Sequence, residues 1–281
     1  MGSDARAFAQ ELSKALGQQV YVENRPGAGS TIGAEAGAKA TPDGYTLVQT
    51  VSALYGVAPL VYPKLGYDVV KDLRSVIVLT SFDNVLVVNS TLPVTSMKEL
   101  IAYAKGKPGE VTFASSGNGT TTHMSGEMFK QMAHIDIRHV PYKSGAPATT
   151  DVLGGQVNMM FHNIPSVIQH IKSATLRALA VTGAQRSQFL PDVPTVAEAG
   201  LSGYQSSGWF SMSVPAATPQ AVIDRLSKAS MEAVKSRGFV KSMNESGFDV
   251  VGGTPQQMDA MVQDEIRRWA PIVKSSGVRV D

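Results

Sequence analysis

The sequence predicts an α/β protein whose sheets are mainly parallel and flanked by helices. Apolar runs at 45–50, 75–79, 85–88, 111–115, 138–141, 157–161 and 178–182 read as strands, and they alternate with segments whose apolar residues recur at helical spacing. Several of these strands end in small or polar residues, at Ser52, at Ser115 to Thr120 and at His162-Asn163. In parallel sheets such strand ends are where ligands collect. The length of 281 residues suits two domains, at about 100 to 200 residues each.

Composition removes whole classes of function. The formal net charge is +2 with the charges well mixed, so no basic face is offered to nucleic acid. The chain has no cysteine, which excludes disulfides, thiolate nucleophiles and thiolate metal sites together. Its five histidines, at 123, 134, 139, 162 and 170, form no helical ligand pair, so neither a metal nor a cofactor is expected. No apolar run reaches the 18 or so residues that span a bilayer.

Taken in order, Met1-Gly2-Ser3 reads as a cloning remnant or an arbitrary start, and 4–16 is an amphipathic helix with Phe8, Leu12, Ala15 and Leu16 on one side. A helix with no strand feeding it suggests that a leader and a first strand precede it in the whole protein. Gln19 to Glu23 alternates as a short strand, and Gly27, Gly29 and Gly33 follow in a G-x-G-x-x-x-G pattern. That spacing differs from a dinucleotide fingerprint, and Pro26 suits a tight turn better than a phosphate cradle. Residues 32–40 are helical, Thr41-Pro-Asp-Gly44 is a turn, and the strand after it ends on Val51-Ser-Ala-Leu54. Ser96-Met-Lys-Glu99 matches a capping box for the helix 100–105. Pro147 to Leu153 and Pro165 to Ile171 are further helices, Val196 to Ala199 is a helical fragment, and 204–214 is a strand containing Trp209. From Pro219 onward the pattern is helical, and this block is expected to pack back onto the first lobe.

The stretch Val111 to His123 concentrates the chemistry. A buried strand breaks into Ser115-Ser-Gly-Asn-Gly-Thr120, then a helix opens with Met124, Met128, Phe129 and Met132 on its apolar face. A helix start carries partial positive charge and unpaired N–H groups, so an anion is the natural guest. The plainer alternative is a turn that only redirects the chain and caps the helix.

No catalytic set accompanies it: there is no nucleophile elbow, no P-loop, and no carboxylate beside the polar strand ends. His123 reads as a hydrogen-bonding residue of the cap region rather than a base. His162 sits in a strand-end loop, either facing the cleft or merely solvated, and Asn163 binds ligand or caps the following helix.

Eight segments then carry a family resemblance over essentially the whole chain. They are Val22-Glu-Asn-Arg-Pro-Gly-Ala-Gly29, Pro42-Asp-Gly-Tyr45, Phe113-Ala-Ser-Ser-Gly-Asn-Gly119, His139-Val-Pro-Tyr-Lys143, Leu153-Gly-Gly-Gln156, Leu176-Arg-Ala-Leu-Ala-Val181, Leu190 to Gly200 and Gly252-Gly-Thr-Pro255. In this order they resemble the substrate receptors of the tripartite tricarboxylate transporters, the Bug family. The resemblance implies a two-lobed periplasmic-binding-protein type II fold that closes on a small organic carboxylate, di- or tricarboxylic or aromatic. It also implies a periplasmic, monomeric, non-enzymatic receptor that delivers its ligand to the transporter's membrane subunits. Lobe 1 is expected over 1–90 and 216–281 and lobe 2 over 91–215.

By resemblance, Ser115, Ser116, Asn118, Gly119 and Thr120 fall on the second-lobe carboxylate loop, Ser52 with Ala53 on a first-lobe wall, and His162 with Asn163 at a further strand end. Two departures stand out. The family's opening strand, ending in Pro-Gly-Gly, is not in this sequence, and His162 stands where Asp is frequent. An imidazole there disfavours an ammonium group, and its protonation is expected to tighten diacid binding as pH falls. The competing readings are a hydrolase or transferase using the same cleft, and a ligand-sensing module.

Overall fold

The computed structural model describes residues 3–25 and 27–279. Met1, Gly2 and Pro26, with the readings given to them, lie outside the described residues. The chain divides into two compact units: unit 1 holds the chain up to Ser81, Trp209–Lys274 and the residues from Val278, and unit 2 holds Phe82–Gly208 and Ser275–Gly277.

Unit 1 opens with helix α1 (Ser3–Leu16), a 3-10 turn at Ala28–Ser30 and helix α2 (Thr31–Ala38). Strand β1 (Val48–Val51) feeds two single-turn helices, α3 (Ala53–Gly56) and α4 (Ala58–Val61), before strand β2 (Leu73–Asn89) leaves for unit 2. In unit 2 the order is α5 (Met97–Lys105), β3 (Thr112–Ser115), α6 (Thr121–Ala133), β4 (Arg138–Pro141), α7 (Gly145–Leu153), β5 (Met159–Asn163), α8 (Ile164–Lys172) and β6 (Leu176–Val181). Strand β7 (Ser207–Pro215) returns the chain to unit 1, where α9 (Gln220–Lys235), α10 (Arg237–Ser246), β8 (Asp249–Val250) and α11 (Pro255–Ser276) complete it.

The sheet of unit 2 is mainly parallel. β3 runs parallel to β4 and to β5, while β5 and β6 both lie antiparallel to β2, so β3, β4, β5 and β6 share one direction and β2 alone opposes them. Its core gathers Val85, Val87, Ala114, Met160, Ile164 and Val167 from strands and helices together. The apolar residues of β2 at 85–88 and of β5 at 159–161 are all buried, with α6, α7 and α8 packed on β5. In unit 1 the described pairings are antiparallel, β1 with β7 and β8 with β2. Helix α1 packs there against α9 and α10, with Phe8 edge-on to Phe239 at 6.2 Å. Burying an aromatic side chain of that kind contributes about 1.5–3 kcal/mol.

Local structure departs from the sequence reading at identifiable points. Gln19 to Glu23 forms no strand: Tyr21 is 80% exposed, and the segment has no ladder to join, its Val20 N–H donating to Ser13 Oγ at 2.9 Å instead. The runs 75–79 and 85–88 are one strand of 17 residues, because the polar Ser81, Asp83 and Asn84 between them are paired inside the fold rather than placed in a turn. The two units divide within β2 and β7 rather than at their ends, since each of these strands supplies residues to both units. Val196 to Ala199 forms turns, not a helix. The Ser96 cap takes the N–H of Glu99 at 3.2 Å, while the Glu99 carboxylate reaches back mainly to Thr95, accepting from its N–H at 2.6 Å and its hydroxyl at 2.9 Å.

Candidate functional site

The strongest site geometry lies in unit 2, where β3 ends and α6 begins. Gly117 and Gly119 take positive φ, +132° and +72°, which lets the chain reverse within a few residues of the strand. Thr120 is the N-cap: its hydroxyl accepts from His123 N at 3.4 Å and donates to Gly117 O at 2.7 Å. Its proton is therefore committed to the protein.

Ser115 is fully buried and held internally. Its Oγ lies 2.7 Å from His139 Nε2 and 3.2 Å from both the Gly117 carbonyl and the Gly117 N–H. The Gly119 N–H donates to His123 Nδ1 at 3.1 Å, so Gly119 supplies shape rather than a donor. Ser116 donates its N–H to Thr122 Oγ1 at 3.0 Å, and its hydroxyl lies 2.9 Å from the same atom. Thr122 Oγ1 also touches Thr120 Oγ1 at 2.9 Å, making Thr122 the hub of the loop. Only a set of contacts reveals this; in sequence Thr122 is one of three consecutive threonines.

Among the described residues, the N–H groups of Asn118, Thr121 and Thr122 have no acceptor. Two of them are the first helical residues of α6, whose orphan donors point out of the helix start. With the partial positive charge of a 13-residue helix behind them, they make the turn receptive to an anion.

Behind the loop stand three stacked rings. Phe113 and His139 are 4.8 Å apart between centroids, and His139 and His123 are 3.9 Å apart at 15°. Burial lowers the pKa of His123 to about 3, helped by the neighbouring His139, and that of His139 to about 4. Both rings are thus neutral at ordinary pH, as His123 must be to accept from Gly119.

His162 and Asn163 lie at the end of β5, next to β3 in parallel register. His162 is not in a loop: it is paired with Val85 inside the strand and is only 6% exposed, because β2 continues past it as a single long strand. Its Nδ1 is buried without a hydrogen bond, and burial lowers its pKa to about 4 against an opposing contact with the Gly145 backbone. Asn163 occupies the position before α8 but gives that helix no side-chain cap bond.

In unit 1, Ser52 and Ala53 lie between β1 and α3. Ser52 is wholly buried; its N–H donates to Trp209 O at 3.0 Å, and its carbonyl accepts from Tyr55 and Gly56. Its hydroxyl has no hydrogen bond of normal geometry but is close enough to the Glu265 carboxyl to hold that pKa down somewhat. Ala53, also buried, opens α3. Tyr55 stacks on Trp209 at 5.5 Å and joins its hydroxyl to Thr50 and Ser213 at 3.1 Å, which fixes this turn from below.

An α/β fold with donor-rich strand-to-helix turns suits a class of proteins that bind small anions, and the comparisons assign the family. The family model described as tripartite tricarboxylate transporter family receptor matches residues 5–278. Protein BugT of Bordetella pertussis is 39% identical over 98% of this chain and 85% of its own. Among solved structures, R. palustris Rpa4515 with adipate aligns with a TM-score of 0.92 at 36% identity, covering 98% of this chain and 92% of that one. MatC from Rhodopseudomonas palustris with bound malate aligns with a TM-score of 0.89 at 29% identity, covering 96% and 93%. The chain belongs to the tripartite tricarboxylate transporter receptor family, also called Bug, and is a receptor of that type. No helix among the described residues is long and apolar enough to cross a membrane.

Proposed function

We propose that this receptor binds a small organic dicarboxylate in the periplasm and hands it unchanged to the membrane subunits of its transporter. The observation that carries the reading is the trio of unengaged N–H groups at Asn118, Thr121 and Thr122 on the start of α6. Charge-assisted bonds from such donors hold a carboxylate firmly, and donors without a buried counter-ion suit reversible capture. Adipate and malate in the two related structures support a diacid as the ligand class.

In this reading Ser116 and Asn118 contact the ligand, Ser115, Gly119 and Thr120 shape the loop, and Ser52 with Ala53 forms a wall in unit 1. His162 and Asn163 bound the site at the end of β5. The receptor works as a monomer, closes around the diacid, and carries out no chemistry on it.

The test is a thermal-shift and calorimetric screen of C4 to C6 diacids against their monoacid counterparts. A diacid at 100 times its Kd should add about 2.7 kcal/mol to stability. Recovery of the bound acid unaltered by mass spectrometry is expected. Absence of any diacid response would overturn the ligand class, and conversion of the acid would overturn the receptor reading.

A further inference from the structure

The stacked histidines behind the loop have a role that neither the fold nor the ligand class requires. His123 Nδ1 takes the Gly119 N–H, and His139 Nε2 holds Ser115 Oγ at 2.7 Å. These two contacts fix the loop on either side of Asn118. Ring stacking at 3.9 Å couples them, and Phe113 at 4.8 Å closes the stack on the sheet side. Protonating His123 at Nδ1 would set an N–H against the Gly119 N–H, and two imidazolium rings at that separation would repel each other. The charged or titratable groups facing the pair are Glu127, whose Oε1 is 3.8 Å from His123 Nε2, and Lys130, which acts on His139.

We propose that His123 and His139 act together as a neutral positioning pair, tying down Gly119 and Ser115 so that the N–H groups of Asn118, Thr121 and Thr122 are the ones presented to a carboxylate. The pair never touches the ligand. It sets which donors are free and where they point, a specificity-determining role that rests on the dicarboxylate reading above. Preorganised donors bind more tightly because the ligand need not order them.

Two substitutions separate the pair's functions. His123→Phe keeps a ring in the stack and removes the acceptor, whereas His123→Asn keeps an acceptor near the Nδ1 position and removes the ring. With adipate as probe, H123F is expected to lose tenfold or more in affinity, and H123N to recover most of that loss relative to H123F. Amide hydrogen exchange at Gly119 is the second readout, expected to accelerate in H123F and stay slow in the wild type and H123N.

Wild-type affinity in H123F, or unaltered Gly119 exchange, overturns the positioning role. If the wild-type protein binds no diacid at all, the ligand reading fails, and the exchange arm still decides the role of the pair in the loop. If H123F does not fold, nitrogen NMR of the wild-type rings decides it: an unprotonated His123 Nδ1 between pH 5 and 8 is expected, and a protonated one overturns the proposal.

Discussion

Trp269 Nε1 donates to Glu265 Oε1 at 2.6 Å, entirely within the interior of unit 1. Glu265 is a carboxyl that folding has removed from water, and desolvation raises its pKa in spite of Trp269, Arg268, Ser52 and Trp209. Arg268 Nη1, at 3.9 Å, is too distant for a strong bond. The indole is therefore the main compensation for a buried acid. Trp269→Phe keeps the aromatic packing and removes the shortest hydrogen bond to the acid, so it is expected to destabilise unit 1 by about 1–3 kcal/mol. Urea unfolding monitored in unit 1 at pH 7 checks this; a loss below about 0.5 kcal/mol would mean that Glu265 finds its partner elsewhere.

That relationship marks the limit of what the sequence could reveal. The strand-turn-helix at 111–123, the Ser96 cap and the amphipathic first helix are legible because their signals lie within a dozen residues. Glu265 and Ser52, or His139 and Ser115, meet only through tertiary folding. His139 was visible as part of a family segment, yet its pairing with Ser115 requires β3 and β4 to lie in register, Phe113 opposite His139. In sequence His162 reads as a strand-end loop residue for a related reason: the strand partner that buries it, Val85, is 77 positions away. Donor availability was also hidden, since Gly119 and Thr120 look like free donors until their internal partners are known.

Three histidines of unit 2, His123 and His162 buried and His139 half-buried, make stability depend on pH. His123, His139 and His162 have folded pKa values lowered by burial to about 3, 4 and 4, against about 6.5 for an unfolded chain. A lowered histidine pKa means that the unfolded chain binds the proton first, so the stabilisation is present above pH 6.5 and is lost as pH falls toward 4. Each group contributes a slope of at most about 1.4 kcal/mol per pH unit in that window. Glu127 and Glu265, whose pKa values are raised by burial, oppose the trend. The comparison of wild type with His162→Phe isolates one group: the variant should show a shallower loss of stability between pH 6.5 and 4.5. Parallel pH profiles would mean that His162 is not buried as a neutral ring.

The same lowering changes what His162 should do to binding. An imidazole titrating near 6.5 would tighten diacid binding on mild acidification. With the folded value at about 4, the affinity contributed by His162 should be flat from pH 6 to pH 8. Calorimetry across that range measures it, with His162→Phe as the control for other titrating groups. A wild-type affinity that rises toward pH 6 and flattens in the variant would show that the ring protonates far more readily than its burial implies.

Gly126 tests how tightly the ring stack is seated. A Cβ there would stand 2.2 Å from Phe113 Cε2 and 2.6 Å from Cδ2. Phe113 is fully buried and stacked on His139, so it has little room to retreat. Alanine improves helix propensity by about 1 kcal/mol over glycine, but overpacking costs about 1–3 kcal/mol. The clash should win, giving a less stable unit 2 with the His123–His139 stack displaced. A Gly126→Ala protein as stable as wild type, with an unshifted Gly119 amide, would show that the stack tolerates movement without consequence for the loop.

Thr122 supplies the most direct test of the loop as an anion cradle. Its hydroxyl oxygen is the acceptor for Ser116 N and also meets Ser116 Oγ and Thr120 Oγ1. Valine has nearly the same shape and none of these bonds, so Thr122→Val leaves a donor of the turn unsatisfied and frees Ser116 to move. The expected cost is about 1–2 kcal/mol in stability, and a similar loss in adipate binding would weaken affinity roughly tenfold or more. Thr122→Ser retains the hydroxyl and should stay much closer to wild type. The discriminating quantity is the ratio of adipate affinities between the serine and valine variants. A ratio near one, with both proteins folded, would remove the hydroxyl hub from ligand binding and leave the backbone N–H groups to carry the site alone.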